Sequence, residues 1–155
     1  MSTTSSVHSP APALRSPAVL DRLEPLAWPL VRVAAGLLLV PHGAQKLFGW
    51  FGGHGLAGTA EYFGGTLGLE PGLFFALTAG VIEVVGGLML ALGLLTRPVA
   101  LVVAAFLAVT VSVHWSSGFF WTEGGFEYPL LWSLVALAIF FRGGGRGSLD
   151  EALRR

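Results

Sequence analysis

The sequence predicts an all-α fold: a four-helix transmembrane bundle, both termini cytoplasmic, with a short interfacial or re-entrant segment between helices 1 and 2. Three observations lead there. The 155-residue chain is 54% hydrophobic and only 12% charged, about half the charge of a typical soluble domain. Its apolar residues gather into runs long enough to cross a hydrocarbon core of roughly 30 Å. Its arginines fall on one side of those runs. One domain with about four spans fits this length.

Residues 1–22 are rich in Ser, Thr, Pro and Ala and lack the basic start and compact apolar core of a signal peptide, so they read as a disordered tail. The first span is expected from about Leu26 to Lys46, with Pro25 and Pro29 in its first turns, where proline is best tolerated. A Gly-rich aromatic stretch follows, Phe48 to Pro71, within which Leu56 to Phe63 forms a short helix at the interface or dipping inward. The second span runs from about Pro71 to Leu95. A tight Thr96-Arg97-Pro98 turn joins it to the third, about Pro98 to Trp115.

A second aromatic loop, Ser116 to Glu127, carries Gly118, Gly124 and Gly125. The fourth span, Glu127 to Phe141, is short, since residues 128–141 cover about 21 Å at 1.5 Å per residue. Gly143-Gly144-Gly145 ends it. The membrane domain is set at residues 23–150, with 151–155 as a cytoplasmic C-terminal tail. The glycine run follows a helix rather than a strand, so it is not a nucleotide-binding loop. The arginines beside it read as anchors to anionic lipid.

Orientation follows from the basic residues. Arg15, Arg22 and Arg32 lie toward the N-terminal side, Arg97 in the short turn, and Arg142, Arg146, Arg154 and Arg155 at the C-terminal side. The two opposite loops hold no cation beyond Lys46. Phe48, Trp50, Phe51, Tyr62, Trp115, Trp121 and Tyr128 would crowd the outer interface, and Trp28 would mark the inner one.

Composition also excludes classes of function. A net charge of +0 points to neither nucleic acid nor an anionic surface as partner. With no cysteine, intrinsic disulfides, thiol redox chemistry and cysteine-ligated iron–sulfur or zinc sites are ruled out. No metal site is expected.

Glu83 is the most informative residue. It is the only charge in the apolar run from Leu73 to Leu95, and a carboxylate at that depth costs a few kcal/mol. Ala76, Gly80, Gly86 and Gly87 share its helix face, so that face packs against a neighbouring backbone. A structural ion pair or a protonated donor locking two helices stands beside a role in chemistry or transport.

On the first span, Arg32, His42 and Lys46 fall within about 80° of arc. Antiparallel packing would put Arg32 roughly 8 Å in depth from Glu83. An Arg32–Glu83 pair is therefore expected, against the alternative that Arg32 snorkels to the interface. His42, Gln45 and Lys46 end the first span, and His114 ends the third at the same level. With His54, Glu61, Glu123 and Glu127 nearby, they would line an outward-facing polar pocket, or be solvated helix ends. Two histidines on separate helices can clamp a haem, but without a haem-attachment motif haem is not favoured.

Several stretches resemble the DoxX family of small bacterial membrane proteins. These are Arg32-Val33-Ala34-Ala35-Gly36 with Pro41-His42-Gly43-Ala44-Gln45-Lys46-Leu47-Phe48-Gly49, then Gly80-Val81-Ile82-Glu83-Val84-Val85-Gly86-Gly87, Leu92-Gly93-Leu94-Leu95-Thr96-Arg97, and Gly143 through Asp150. The resemblance spans about Leu26 to Asp150. It implies a four-helix, multi-pass protein of the bacterial cell (inner) membrane. It maps the family's polar motif positions onto Arg32, His42, Gln45, Lys46, Glu83 and Arg97, with His114 at a position where many members are polar.

Relatives in this family include the membrane subunit of a thiosulfate:quinone oxidoreductase, quinone-stress proteins and a partner in an oxidative-stress complex. The resemblance thus implies a quinone-binding membrane subunit of an oxidoreductase or oxidative-stress complex, catalytic or not. Glu83 and His42 would be the catalytic candidates, and Arg32, His42, Gln45, Lys46 and His114 the cofactor-binding ones. Electrons would need a partner redox subunit or a bound cofactor, because the chain brings no thiol and no cofactor motif. A homo-oligomer in the lipid bilayer is also admitted. Two other readings stay open: a carrier or binding protein for a small apolar molecule or proton, and a purely structural membrane subunit.

Overall fold

The computed structural model describes residues 18–155, and among these the secondary structure is helical with no strand. Helix α1 is Ala18–Phe48. Helix α2, Gly55–Glu61, continues as a π turn over Tyr62–Thr66. Helix α3 spans Gly72–Leu92, α4 Thr96–Val113, α5 Glu127–Arg142, and α6 is the short Leu149–Ala152. Three of these, α1, α3 and α4, are long and apolar enough to cross a membrane. α5 has 16 residues, about 24 Å of rise.

Large apolar side chains face outward. Leu30, Leu37, Leu77, Val109, Leu134 and Phe141 are exposed, while much of the core is Ala35, Ala76, Ala79, Ala100, Ala104 and Ala136. Water would penalise this distribution. Hydrocarbon favours it, because association there depends on close backbone packing rather than on hiding apolar surface.

The bundle is two antiparallel hairpins. α1 crosses α3 at two glycine contacts spaced seven residues apart on each helix. A Cβ on Gly36 would strike the Gly87 carbonyl oxygen, and one on Gly43 would lie 2.8 Å from the Gly80 carbonyl oxygen. α4 packs against α5 through Ala100, Ala104 and Ala136, and Ser133 Oγ donates to the Ala104 carbonyl at 3.0 Å.

The hairpins are clasped at the end where α1 begins and α5 ends, called here the terminal end. Trp28 Nε1 donates to the Gly143 carbonyl at 2.9 Å, and the Arg142 guanidinium lies 4.7 Å from the Trp28 ring centroid. Asp150 accepts from the backbone N–H of Leu95 and of Thr96, each at 2.8 Å, and so caps α4 from a distant segment.

The start of α1 moves. The expected tail lies outside the described residues up to residue 17, but residues 18–22 are helical, so α1 starts earlier than Leu26. Pro25, Pro29 and Pro41 therefore sit inside α1. Each removes one helical N–H bond, a defect that membrane helices tolerate when neighbouring groups re-satisfy the freed carbonyls. The short helix expected over Leu56 to Phe63 is present as α2 and its π turn.

Candidate functional site

The glycine contacts draw α1 and α3 together and leave α1 apart from α5 toward the other end of the bundle, the loop end. A cavity of about 660 Å³ fills that gap. Helices α1, α4 and α5 line it with residues three or four apart, as one helix face requires. α1 supplies Leu39, His42 and Lys46; α4 supplies Leu107, Thr110 and His114; α5 supplies Tyr128, Trp132 and Ala136. α3 adds Glu83 and Leu90. Leu38 on α1 and Leu131 on α5, both exposed, are among its lining residues.

Polarity is graded along this cavity. His42, Lys46, Thr110, His114 and Tyr128 stand toward the loop end, while Ala35, Leu90, Val103 and Ala136 line the deeper end. The arrangement can accept a molecule with a polar head and an apolar body.

Glu83 lies in a π turn, Ile82–Gly86, that interrupts α3. Such turns re-aim side chains and recur at functional sites. Both Glu83 carboxylate oxygens accept from Lys46 Nζ, at 2.8 and 2.7 Å. The Glu83 side chain is 7% exposed and that of Lys46 25%.

The expected Arg32–Glu83 pair is absent. Arg32 is fully buried and donates through Nη1 to the carbonyl oxygens of Leu90, at 2.8 Å, and Ala91, at 2.6 Å. Its Nη2 reaches the Gly147 carbonyl at 3.4 Å. The physical reason is side-chain direction. Helical side chains lean toward their own N-terminus. On antiparallel helices Arg32 leans to the terminal end, and Glu83 leans to the loop end, where Lys46 leans inward to meet it. Arg32 instead satisfies the Ala91 carbonyl, which the last turn of α3 leaves free, and adds a second donor to the Leu90 carbonyl, which already accepts from the Gly93 N–H, at the negative end of the helix dipole.

Gln45 also turns away from the cavity: its Nε2 donates to the Phe51 carbonyl at 3.3 Å and ties α1 to the following loop. His54, Glu61, Glu123 and Glu127 do not line the cavity. Among the sequence candidates, His42, Lys46, Glu83 and His114 come together there, whereas Arg32 and Gln45 do not. Thr110, Tyr128 and Trp132 were not anticipated as lining residues. The pairs Thr110/His114 and Tyr128/Trp132 are each four residues apart and would have shown it.

His114 is held in one tautomer. Its Nδ1 lies 2.8 Å from the Gly124 carbonyl oxygen. A carbonyl only accepts, so Nδ1 carries a proton, and in the neutral ring Nε2 is left as an acceptor. Among the described residues no group of histidines and carboxylates is arranged to hold a metal ion.

These features define a helical membrane protein with a cavity between its helices. The chain belongs to the DoxX family, whose profile matches residues 27–115. It is 31% identical over 140 residues to an uncharacterised protein of Haemophilus influenzae, covering 85% of this chain and 94% of that one. It is 31% identical over 110 residues to a Bacillus subtilis protein named "Putative oxidoreductase CatD", covering 71% of this chain and 75% of that one. No solved structure is a significant match.

Proposed function

We propose that the chain is the membrane subunit of a quinone-linked oxidoreductase or oxidative-stress complex and holds a quinone-like molecule in the cavity between α1 and α5. In this reading it is a four-helix bundle of the bacterial inner membrane with both termini cytoplasmic, and α5 is the fourth, short span. The observation that carries the proposal is the graded cavity, with His42, Lys46 and His114 at its polar end and apolar walls below.

A quinone ring is flat and apolar, and its carbonyls call for donors. His42 brings an N–H group to the polar end, Lys46, bonded to Glu83, brings positive charge, and His114 Nε2 offers an acceptor to a quinol hydroxyl. The exposed apolar lining residues Leu38 and Leu131 suit a ligand dissolved in lipid. When bound, the quinone would supply the two-electron chemistry; the residues of the chain bind and orient it. A partner redox subunit would deliver or remove the electrons. The name borne by the Bacillus subtilis relative agrees with an oxidoreductase role.

The test is extraction of the protein, purified from bacterial membranes in mild detergent, followed by quantification of quinone. The expected result is roughly one quinone per chain, as a single cavity allows, and a clear loss in the His42→Ala, His114→Ala double variant. No quinone in the wild type would contradict the proposal. The Lys46–Glu83 pair on the cavity wall also fits a carrier for a proton or small apolar molecule. Flux into liposomes without redox change would favour that second reading.

A further inference from the structure

A second basin, of about 460 Å³, lies at the terminal end, away from the cavity. Five arginines line it from separate segments. Arg97 comes from the first turn of α4, Arg142 from the end of α5, Arg146 from the glycine turn, and Arg154 and Arg155 follow α6. The glycine turn brings two of them together. Gly143 and Gly145 adopt φ of 83° and 66°, which only glycine takes without strain, and the chain folds back so that Arg142 and Arg146 face one space.

The two carboxylates in the lining do not balance this charge. Both Asp150 oxygens are committed to the N–H groups of Leu95 and Thr96. Glu151 accepts from the Gly147 N–H and from Arg155. Arg155–Glu151 is the one arginine ion pair among the described residues. The guanidinium groups of Arg97, Arg146 and Arg154 make neither an ion pair nor a hydrogen bond there, and Arg142 rests on Trp28. Five guanidinium groups against two carboxylates leave three positive charges around one small volume, where like charges repel. An anion relieves that repulsion, and the planar guanidinium fork matches a tetrahedral oxyanion such as phosphate.

We propose that this basin is a binding site for a phosphate-type anion, either a soluble phosphate or an anionic lipid headgroup. Arginines that only mark topology would be scattered over the face, and their loss would be interchangeable. Arg22, on the same side but outside the basin, is the control.

Inorganic phosphate is titrated into the full-length protein in neutral detergent at constant ionic strength. Melting temperature is measured in parallel in discs of phosphatidylcholine with and without phosphatidylglycerol. Saturable phosphate binding that weakens about ten-fold or more in Arg97→Gln with Arg146→Gln, and not in Arg22→Gln, assigns the basin to a soluble phosphate. Stabilisation by phosphatidylglycerol without saturable phosphate binding, lost in the same double variant alone, assigns it to a lipid headgroup. Either result supports the proposal. No effect of either probe on the wild type, or equal loss in Arg22→Gln, overturns it. Arg146→Gln alone, in an exposed turn, serves if the double variant does not fold.

Discussion

Lys46 Nζ lies within 2.8 Å of both carboxylate oxygens of Glu83, so a cation from α1 meets the buried acid of α3 at the wall of the cavity. Removing either partner leaves the other charge uncompensated at depth. Such a loss costs about 3–5 kcal/mol in buried pairs. Lys46→Met and Glu83→Gln should each lower the melting temperature in detergent. The double variant should be less destabilised than the sum of the two. Additive effects would mean that the contact contributes nothing to stability.

Arg32 predicts a different pattern. Its guanidinium holds the Leu90 and Ala91 carbonyls with two bonds, each worth about 1.5–3 kcal/mol when a charged donor is involved. Arg32→Ala should therefore destabilise the fold strongly. Quinone affinity should not change in Arg32→Lys, because Arg32 does not line the cavity. A selective loss of quinone binding with normal stability would return Arg32 to the site.

Asp150 gives the fold a pH dependence outside the membrane spans. Burial by itself would push its carboxyl up, but the hydrogen bonds from Thr96 and Leu95, with Arg154 nearby, outweigh it and hold the group below the usual carboxylate range. A depressed folded-state value means stability that is present above the ordinary aspartate range, about 3.9, and is lost as pH falls toward and through the folded value. The melting temperature should drop over that acidic window. In Asp150→Ala the cap is absent at every pH, costing about 1 kcal/mol near neutrality, and the acid-dependent drop should be smaller. An identical profile would remove Asp150 as the cause.

Topology is tested by reporter fusions after Arg155 and within the loop near Gly118. The arginines lie around the terminal end, and exposed Trp50, Phe51, Trp115 and Trp121 crowd the loop end. The two fusions should report opposite sides, with Arg155 cytoplasmic. The same side for both would contradict the four-span arrangement.

Much of this fold was legible in the sequence, because apolar runs and glycine or proline breaks set the helices. The packed face of Glu83 was legible from Ala76, Gly80 and Gly87. The partner of Glu83 was not, because axial rise alone places Arg32 within reach and ignores the lean of side chains toward their own N-terminus. The π turn that carries Glu83 has no simple sequence signal, since it is one extra residue in an otherwise regular apolar helix. The cap that Asp150 places on α4 joins segments 54 residues apart and follows from tertiary packing alone. Tyr128 was read as an interface marker, although its spacing from Trp132 puts both on the cavity face of α5.

In the proposed function, the cavity between α1 and α5 binds a quinone through its polar end. The most direct measurement is the dissociation constant of a short-chain quinone analogue for the purified protein, wild type and His42→Ala with His114→Ala. The expected result is saturable binding that weakens about ten-fold or more in the double variant, a loss of roughly 1.4 kcal/mol or more, with only a small fall in melting temperature from the lost His114–Gly124 bond. Equal affinity in both proteins, or no binding to either, would contradict the claim and favour a structural subunit.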